Sequence, residues 1–343
     1  MTSGTAQDPA GRPVLGRWLT GAGHSHPVRA MEASAATNAA VSAALDVLES
    51  MLAPLDAAAV NDAPWRKKRG EFAQLSSMGQ FLEMRAEFAL SLALSDAGIG
   101  YLLGDTKVAN PDLLLIDSDT VTAGIEVTAR APQNIAEVVE RVEEEMAAAG
   151  GAFDVHLAFS SYPSRLQAPV ADALAAAVRA QADPLTAGQA PGPAVIEVDD
   201  PKNAGQLEAT IRVTPGGGTV GWEVTAGELA NPLDAASYAV FEAGRGTQKA
   251  AQGASLGGAP VILAVDVSRY GAAWMRPGRV WAGQLAASPH FTPGYPFAAL
   301  AVFCQSLDQP GLLNVGIGLS PHLSAHTRQQ LHDLCHTLGW PSA

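Results

Sequence analysis

Pro111-Asp112-Leu113-Leu114-Leu115-Ile116 and, a short way on, Ala123-Gly124-Ile125-Glu126-Val127-Thr128 decide how this chain is read. Each is a short apolar or β-branched run carrying an acid and bounded by turn residues, the pattern of a β-strand. Gly100-Tyr101-Leu102-Leu103 precedes them with the same character, so three strands follow the long helical stretch that holds Phe81, Phe88, Leu92 and Leu94 and stops near Gly98. Ile135 to Ala149 reads as an amphipathic helix with Glu140, Glu143, Glu144 and Glu145 outward, and Phe153 to Phe159 as a further strand. The order is helix, three strands, helix, strand. Strand side chains alternate, so Glu126 and Thr128 share one face and Val127 points to the other, into the core.

Outward from this centre, residues 1–30 are rich in Gly, Pro, Thr and Ser and read as a disordered tail. Residues 31–75 form an N-terminal helical region. One helix runs from Met31 to about Leu52 and is closed by Pro54, and the Pro64-Trp65 break leads into the basic run Arg66-Lys67-Lys68-Arg69. Residues 76–160 are the core described above, and 161–343 an α/β extension that completes or decorates it. That extension holds a helix (Ala168–Ala182), several strands between Ala194 and Val224 read as an insertion or added antiparallel sheet, a helix from Ala235 to about Gln252, the apolar strand Val261–Val265, a similar run Phe297–Phe303, and a closing helix Pro321–Leu338. Gly216-Gly217-Gly218 lacks a following Lys-Ser/Thr and reads as a hairpin turn, not a phosphate loop.

The chain has 343 residues, 48% hydrophobic and 16% charged, and a net charge of −13. Disorder throughout is excluded, and no apolar run reaches the roughly 18 residues that a membrane helix needs. Residues 1–200 carry 26 acidic and 13 basic side chains while the remainder carries 8 of each, which speaks against broad adhesion to nucleic acid but leaves room for a local basic surface. The first residues lack the apolar core of a secretory signal, and two cysteines make no disulfide framework, so a reduced, cytoplasmic location is expected.

Glu87 on the long helix, Pro111-Asp112 at a strand start and Glu126-Val127-Thr128 on the next strand resemble the core of the PD-(D/E)XK nuclease superfamily, over roughly Gly79 to Phe159. The resemblance implies a restriction-endonuclease-like α/β fold and an endonuclease that hydrolyses nucleic-acid phosphodiesters, DNA before RNA, with Mg²⁺ (or Mn²⁺) as cofactor. It casts Asp112 and Glu126 as the metal pair and Glu87 as a second or water-mediated ligand, with Glu83, one helical turn earlier, as its substitute. Such chemistry needs a hard cation to neutralise charge growing on phosphate oxygens and to acidify a water, and carboxylates on neighbouring strand ends supply its ligands. The backbone carbonyl of Val127 would be a further ligand.

The sequence departs from the superfamily pattern at Thr128, which stands where the motif has Lys. A hydroxyl orients a water but brings no positive charge, so Arg130 or Lys249 would have to reach the same point from elsewhere. A competing reading is a catalytically degenerate nuclease fold kept as a binding or assembly module in a bacterial multi-protein system. A third is an unrelated α/β domain in which Glu126 points away from Asp112. A homodimer or a protein partner is open on either of the first two, and a membrane partner is not expected.

Further residues point to nucleic acid. Arg66, Lys67, Lys68 and Arg69 could seat a phosphate backbone with Trp65 stacking on a base, set against a merely solvated helix start. Between Asp266 and Asp308 no acid occurs while Arg269, Tyr270, Trp274, Arg276, Arg279 and Trp281 interleave charge with aromatic rings, the pattern of a groove or of a loop capping the core. Lys249 and Gln252 lie one turn apart before the strand Val261–Val265, an arrangement loosely similar to some bacterial nuclease-like proteins. His322, His326, His332, Cys335 and His336 share the last helix, but the two histidine pairs are turned away from each other, so zinc is not expected.

Overall fold

The apolar runs of the sequence gather into two compact units in the computed structural model, one of Met1–Arg130, Leu233–Ser268 and Ala272–Ala343, the other of Ala131–Pro232 with Arg269–Gly271. The structure describes residues 11–36, 38–105, 108–129, 141–142, 145, 153–160, 168–189, 192, 194–200, 205–215, 220–224, 240–241, 243–268 and 276–343.

In the first unit, helices α1 (Pro13–Trp18), α2 (Pro27–Ala35), α3 (Ala39–Asn61), α4 (Ala63–Phe72) and α5 (Met78–Asp96) lead into β1 (Gly100–Leu103), β2 (Leu113–Asp117) and β3 (Thr120–Ala129). The three strands form an antiparallel meander, with Leu103 opposite Leu113 and Leu113 opposite Ile125. Ser118 and Asp119, both with φ above zero (47° and 68°), make the tight turn between β2 and β3. Gly98, at φ 70°, ends α5, and the Ile99 amide closes back on the Leu94 carbonyl at 2.9 Å.

The chain leaves this unit after β3. The second unit holds β4 (Phe153–Phe159), α6 (Ala168–Thr186), β5 (Ala194–Asp200), β6 (Gly205–Pro215) and β7 (Val220–Val224), with sheet order β5-β6-β4-β7. Its core is built on Leu157, Phe159, Leu174, Val178, Ala209 and Ile211. The chain then returns through α7 (Thr247–Gly253), β8 (Val261–Asp266), α8 (Gly278–Ala286), β9 (Ala299–Gln305), β10 (Leu312–Leu319) and α9 (Ala325–Leu338). The completed sheet runs β1-β2-β3-β8-β9-β10, with β8 parallel to both β3 and β9. One face packs α5 and α9 through Ala86, Leu90, Leu94, Ile125, Val127 and Leu331. On the other face α8 approaches so closely that a Cβ on Gly316 would meet the Gly278 carbonyl oxygen at 2.0 Å.

Four expectations are corrected. The strand beside β3 is Val261–Asp266, not Phe153–Phe159, which belongs to the second unit's sheet. Local pattern identified both as strands, but pairing is a non-local property. The core therefore does not end at residue 160, and the 161–343 extension is part insertion and part core. The N-terminal tail is not disordered from residue 13 onward: Leu15, Trp18, Leu19 and Val28 are buried, and the Trp18 indole donates to Asp56 at 3.0 Å. A tryptophan buries so much apolar area that its docking outweighs the ordering cost of a short helix. Pro54 does not stop a helix but lies inside α3, where burial of Leu52, Leu55 and Ala59 holds the helix through the lost hydrogen bond. Finally, β6 and β7 flank β4 on opposite sides and do not pair with each other, and Gly216-Gly217-Gly218, expected as a hairpin turn, lie outside the described residues.

Candidate functional site

The register of the meander opens a cleft at one end of the sheet. β2 begins at Leu113, opposite Ile125, so Glu126, Val127 and Thr128 run on past its first residue. Side chains satisfy the strand edge left there. Asp112 accepts from the Val127 amide at 2.8 Å, and Lys249 donates to the Val127 carbonyl at 3.1 Å. Asp112 is held in place by its own backbone, whose carbonyl accepts from the Gly104 amide at 2.8 Å. Gly104 is required there because a Cβ would lie 1.9 Å from the Pro111 carbonyl oxygen.

Around this edge lies a cleft of about 250 Å³ lined by Lys68, Glu83, Glu87, Asp112, Glu126 and Lys249, among others. Glu87 and Glu126 each have a lysine. Lys68 of α4 pairs with Glu87 of α5, and Lys249 of α7 pairs with Glu126 of β3. Glu126 is fully buried and Glu87 nearly so. Burial, then the neighbouring Asp112 charge, pushes both glutamate carboxyls up to about 8 against the opposing pull of their lysines. Burial also penalises the charged form of both lysines, but Glu87 and Asp112 around Lys68, and Glu126 and Asp112 around Lys249, outweigh it and hold each ammonium above the ordinary lysine range. Four carboxylates and two ammonium groups thus line one small space.

Glu126 Oε2 and Gln252 Oε1, both on this cleft, are buried with no hydrogen-bond partner among the described residues, while Gln252 Nε2 donates to the Asn110 carbonyl at 3.3 Å. Buried acceptors of this kind are costly unless something binds them. Among the described residues no group of three or more His, Cys, Asp or Glu side chains is gathered as if around a metal ion. The last helix's histidines and Cys335 form no such group either.

The chain matches no family model, no curated protein and no solved structure.

Of the expected site residues, Glu87, Asp112, Glu126 and Lys249 come together, and Glu83 lines the same cleft. Thr128 is buried and is not among the lining residues. Arg130 and Arg269 lie outside the described residues, as do Tyr270 and Trp274. The basic run divides: Lys67 and Lys68 face the cleft side of α4, while Arg66 and Arg69 face away from it. Trp65 does not stack on a base. It is 5% exposed and packs against Phe88. Trp281 is likewise wholly buried, which removes it from the proposed aromatic-basic surface and leaves Arg276 and Arg279 exposed at the start of α8. Sequence reading missed Lys68 as the partner of Glu87, since nothing in a basic run says which member turns inward. No helix of the described residues is long and apolar enough to cross a membrane.

Proposed function

We propose that this cleft hydrolyses phosphodiester bonds in nucleic acid, DNA before RNA, as a metal-dependent endonuclease of the PD-(D/E)XK kind. The observation that carries this reading is the pairing of Lys249 with Glu126 and with the Val127 carbonyl, which brings an ammonium group to the acidic strand end where Thr128 offers none. Its support from the fold is a meander flanked by α5 and joined in parallel by β8, with α7 directly ahead of β8.

The donor chemistry fits a hard divalent cation. Mg²⁺ is commonly held by one or two carboxylates together with waters and substrate phosphate, so a cage of three acids is not needed. Asp112 and Glu126, with its unpartnered Oε2, would hold Mg²⁺ or Mn²⁺, Glu87 would add a second or water-mediated contact, and the ion when bound would supply charge neutralisation and an acidified water. The chain's own groups do the rest. Lys249 sets a positive charge beside the oxygens where a phosphate would sit. Lys68 keeps Glu87 from repelling an incoming anion. The two glutamates, at about 8, hold or release protons near neutral pH at the wall of the cleft.

A second reading is favoured by one specific observation. With Glu87 and Glu126 already countered by lysines, the cleft suits a degenerate nuclease fold that binds without cutting, as a module in a larger assembly.

Calorimetric titration with Mg²⁺ and Mn²⁺, with plasmid and single-stranded DNA cleavage on the same samples, separates the two. Wild type should bind metal and cleave, Asp112→Ala should lose both, and Lys249→Met should keep metal binding while cleavage falls at least tenfold. Metal binding without cleavage in the wild type would favour the binding module. No metal binding at all would remove the nuclease reading.

A further inference from the structure

We propose that Arg17, Arg66 and Arg69 form an oxyanion pocket that takes a phosphate group, on the side of α4 turned away from the cleft. At roughly 100° per residue, Arg66, Arg69, Gly70 and Ala73 fall within an arc of about 100°, while Lys67, Lys68 and Glu71 centre on nearly the opposite side. Trp65 and Phe72 fill the third side with core contacts. The arginine face and α1 together enclose a depression of about 350 Å³ lined by Arg17, Trp18, Arg66 and Arg69.

Charge in this depression is unbalanced. Asp56, 6% exposed, accepts from Arg17 Nε at 2.9 Å and Nη2 at 2.7 Å, from the Trp18 indole and from Arg69 Nη1 at 3.3 Å. One carboxylate therefore fixes two guanidinium groups in place, and the third arginine, Arg66, is exposed and adds a further charge. Preordered, half-exposed guanidinium forks around a concave surface suit the tetrahedral oxygens of phosphate. Arg17 comes from the segment that composition marks as a tail, which is why the pocket is invisible in the run Arg66–Arg69 alone.

The nature of the phosphate rests on the nuclease reading of the cleft. A helix with its side chains is about 10–12 Å across, and a nucleic-acid strand presents a phosphate about every 3.4 Å of axis, so one strand could touch both sides of α4. The same pocket could take free phosphate or a small phosphorylated molecule. The chemistry is shared and the source is an outcome of the test.

Wild type and Arg66→Glu are compared in EDTA, by anisotropy of a short fluorescein-labelled single-stranded DNA across a salt series, and by thermal midpoint in inorganic phosphate against chloride. Arg66→Glu should melt as the wild type does in chloride, since Arg66 anchors nothing in the core. With strand phosphate as the source, the variant should bind DNA at least about eightfold more weakly at 0.1 M salt, and the salt slope should fall by about one. With a free anion as the source, phosphate should raise the midpoint of the wild type and not of the variant, while DNA binding stays equal. Equal DNA affinity, equal slope and equal response to phosphate would overturn the pocket. That failure is separable from failure of the cleft reading, which is judged by metal binding in the wild type and its loss in Asp112→Ala.

Discussion

Glu126 illustrates how a single buried acid couples the site to stability. Its carboxyl titrates at about 8 in the fold against an ordinary 4.5, so the native chain keeps a proton that the unfolded chain gives up between those values. The sign follows from linkage: the stabilisation is complete below about pH 4.5, declines across the window and is gone above about pH 8. Glu87 acts in the same direction. Lys68 and Lys249, held above the ordinary 10.5, add stability that is constant across this window and is lost only in more alkaline solution, above about pH 10.5. In EDTA, the urea midpoint of the wild type should therefore fall from pH 5 to pH 8, and Glu126→Gln, with no proton to lose, should fall less. Parallel profiles would show that Glu126 titrates normally. The two thiols make a simpler case. Cys304 and Cys335 are buried and pushed up to about 12 by that burial, so neither should react with an aromatic disulfide reagent at pH 8 until the chain unfolds. Rapid labelling of native protein would contradict their placement.

Between α5 and the sheet, a buried polar network fixes the helix that carries Glu87. Arg85, 1% exposed, donates to Gln305 at 2.9 Å and to the Ser306 carbonyl at 2.7 Å, and Gln305 donates to Asp266 at 2.7 Å and to the Leu82 carbonyl at 3.0 Å. Arg85→Met strips the Gln305 side-chain oxygen and the Ser306 carbonyl of their donor and removes the positive charge that counters Asp266, and should cost about 3–5 kcal/mol, read from urea unfolding. By contrast, Arg12 with the exposed Asp46 is a surface pair, and its loss should cost no more than about 1 kcal/mol. On the meander, Gly104→Ala would force the Pro111–Asp112 backbone outward. It should weaken Mg²⁺ binding more than it lowers the melting temperature, and an unchanged metal affinity would mean that Asp112 is not held by this contact. These elements were unequally legible. The strands around Asp112 and Glu126 announce themselves because apolar runs and turn residues are local signals. The strand that completes their site, Val261–Asp266, was readable as a buried strand but not as the neighbour of β3, because a whole folded unit intervenes and parallel pairing leaves no local mark. Trp65 departs from its expected exposure for a related reason: the adjacent charges suggest a solvated position, whereas neighbouring helix positions face different ways.

Both lysines and the acids Glu83, Glu87, Asp112 and Glu126 lie within the first unit, which has a consequence for the chain as a whole. The sheet β1-β2-β3-β8-β9-β10 and the helices that deliver Lys68, Glu87 and Lys249 draw none of their strands from the inserted unit. That unit has a core of its own, in which Leu157 and Phe159 are fully buried. Leu157→Ala removes apolar contacts and leaves a cavity, which should cost about 2–5 kcal/mol within that core. If the units are energetically separate, the loss should appear as an earlier, smaller unfolding transition, with hydrogen exchange accelerated in β4 and β6 and unchanged in β3 and β8. Mg²⁺ binding at the cleft should survive the substitution. Phe88→Ala should act oppositely: Phe88 packs on Trp18, Trp65 and Phe72 beside the helix carrying Glu87, so its removal should loosen α4 and α5 together and weaken metal binding along with stability. A single shared transition in Leu157→Ala, with exchange rising equally in β3 and β4, would instead mean that insertion and sheet fold as one cooperative body, and that the long detour between β3 and β8 is part of what holds the cleft in shape.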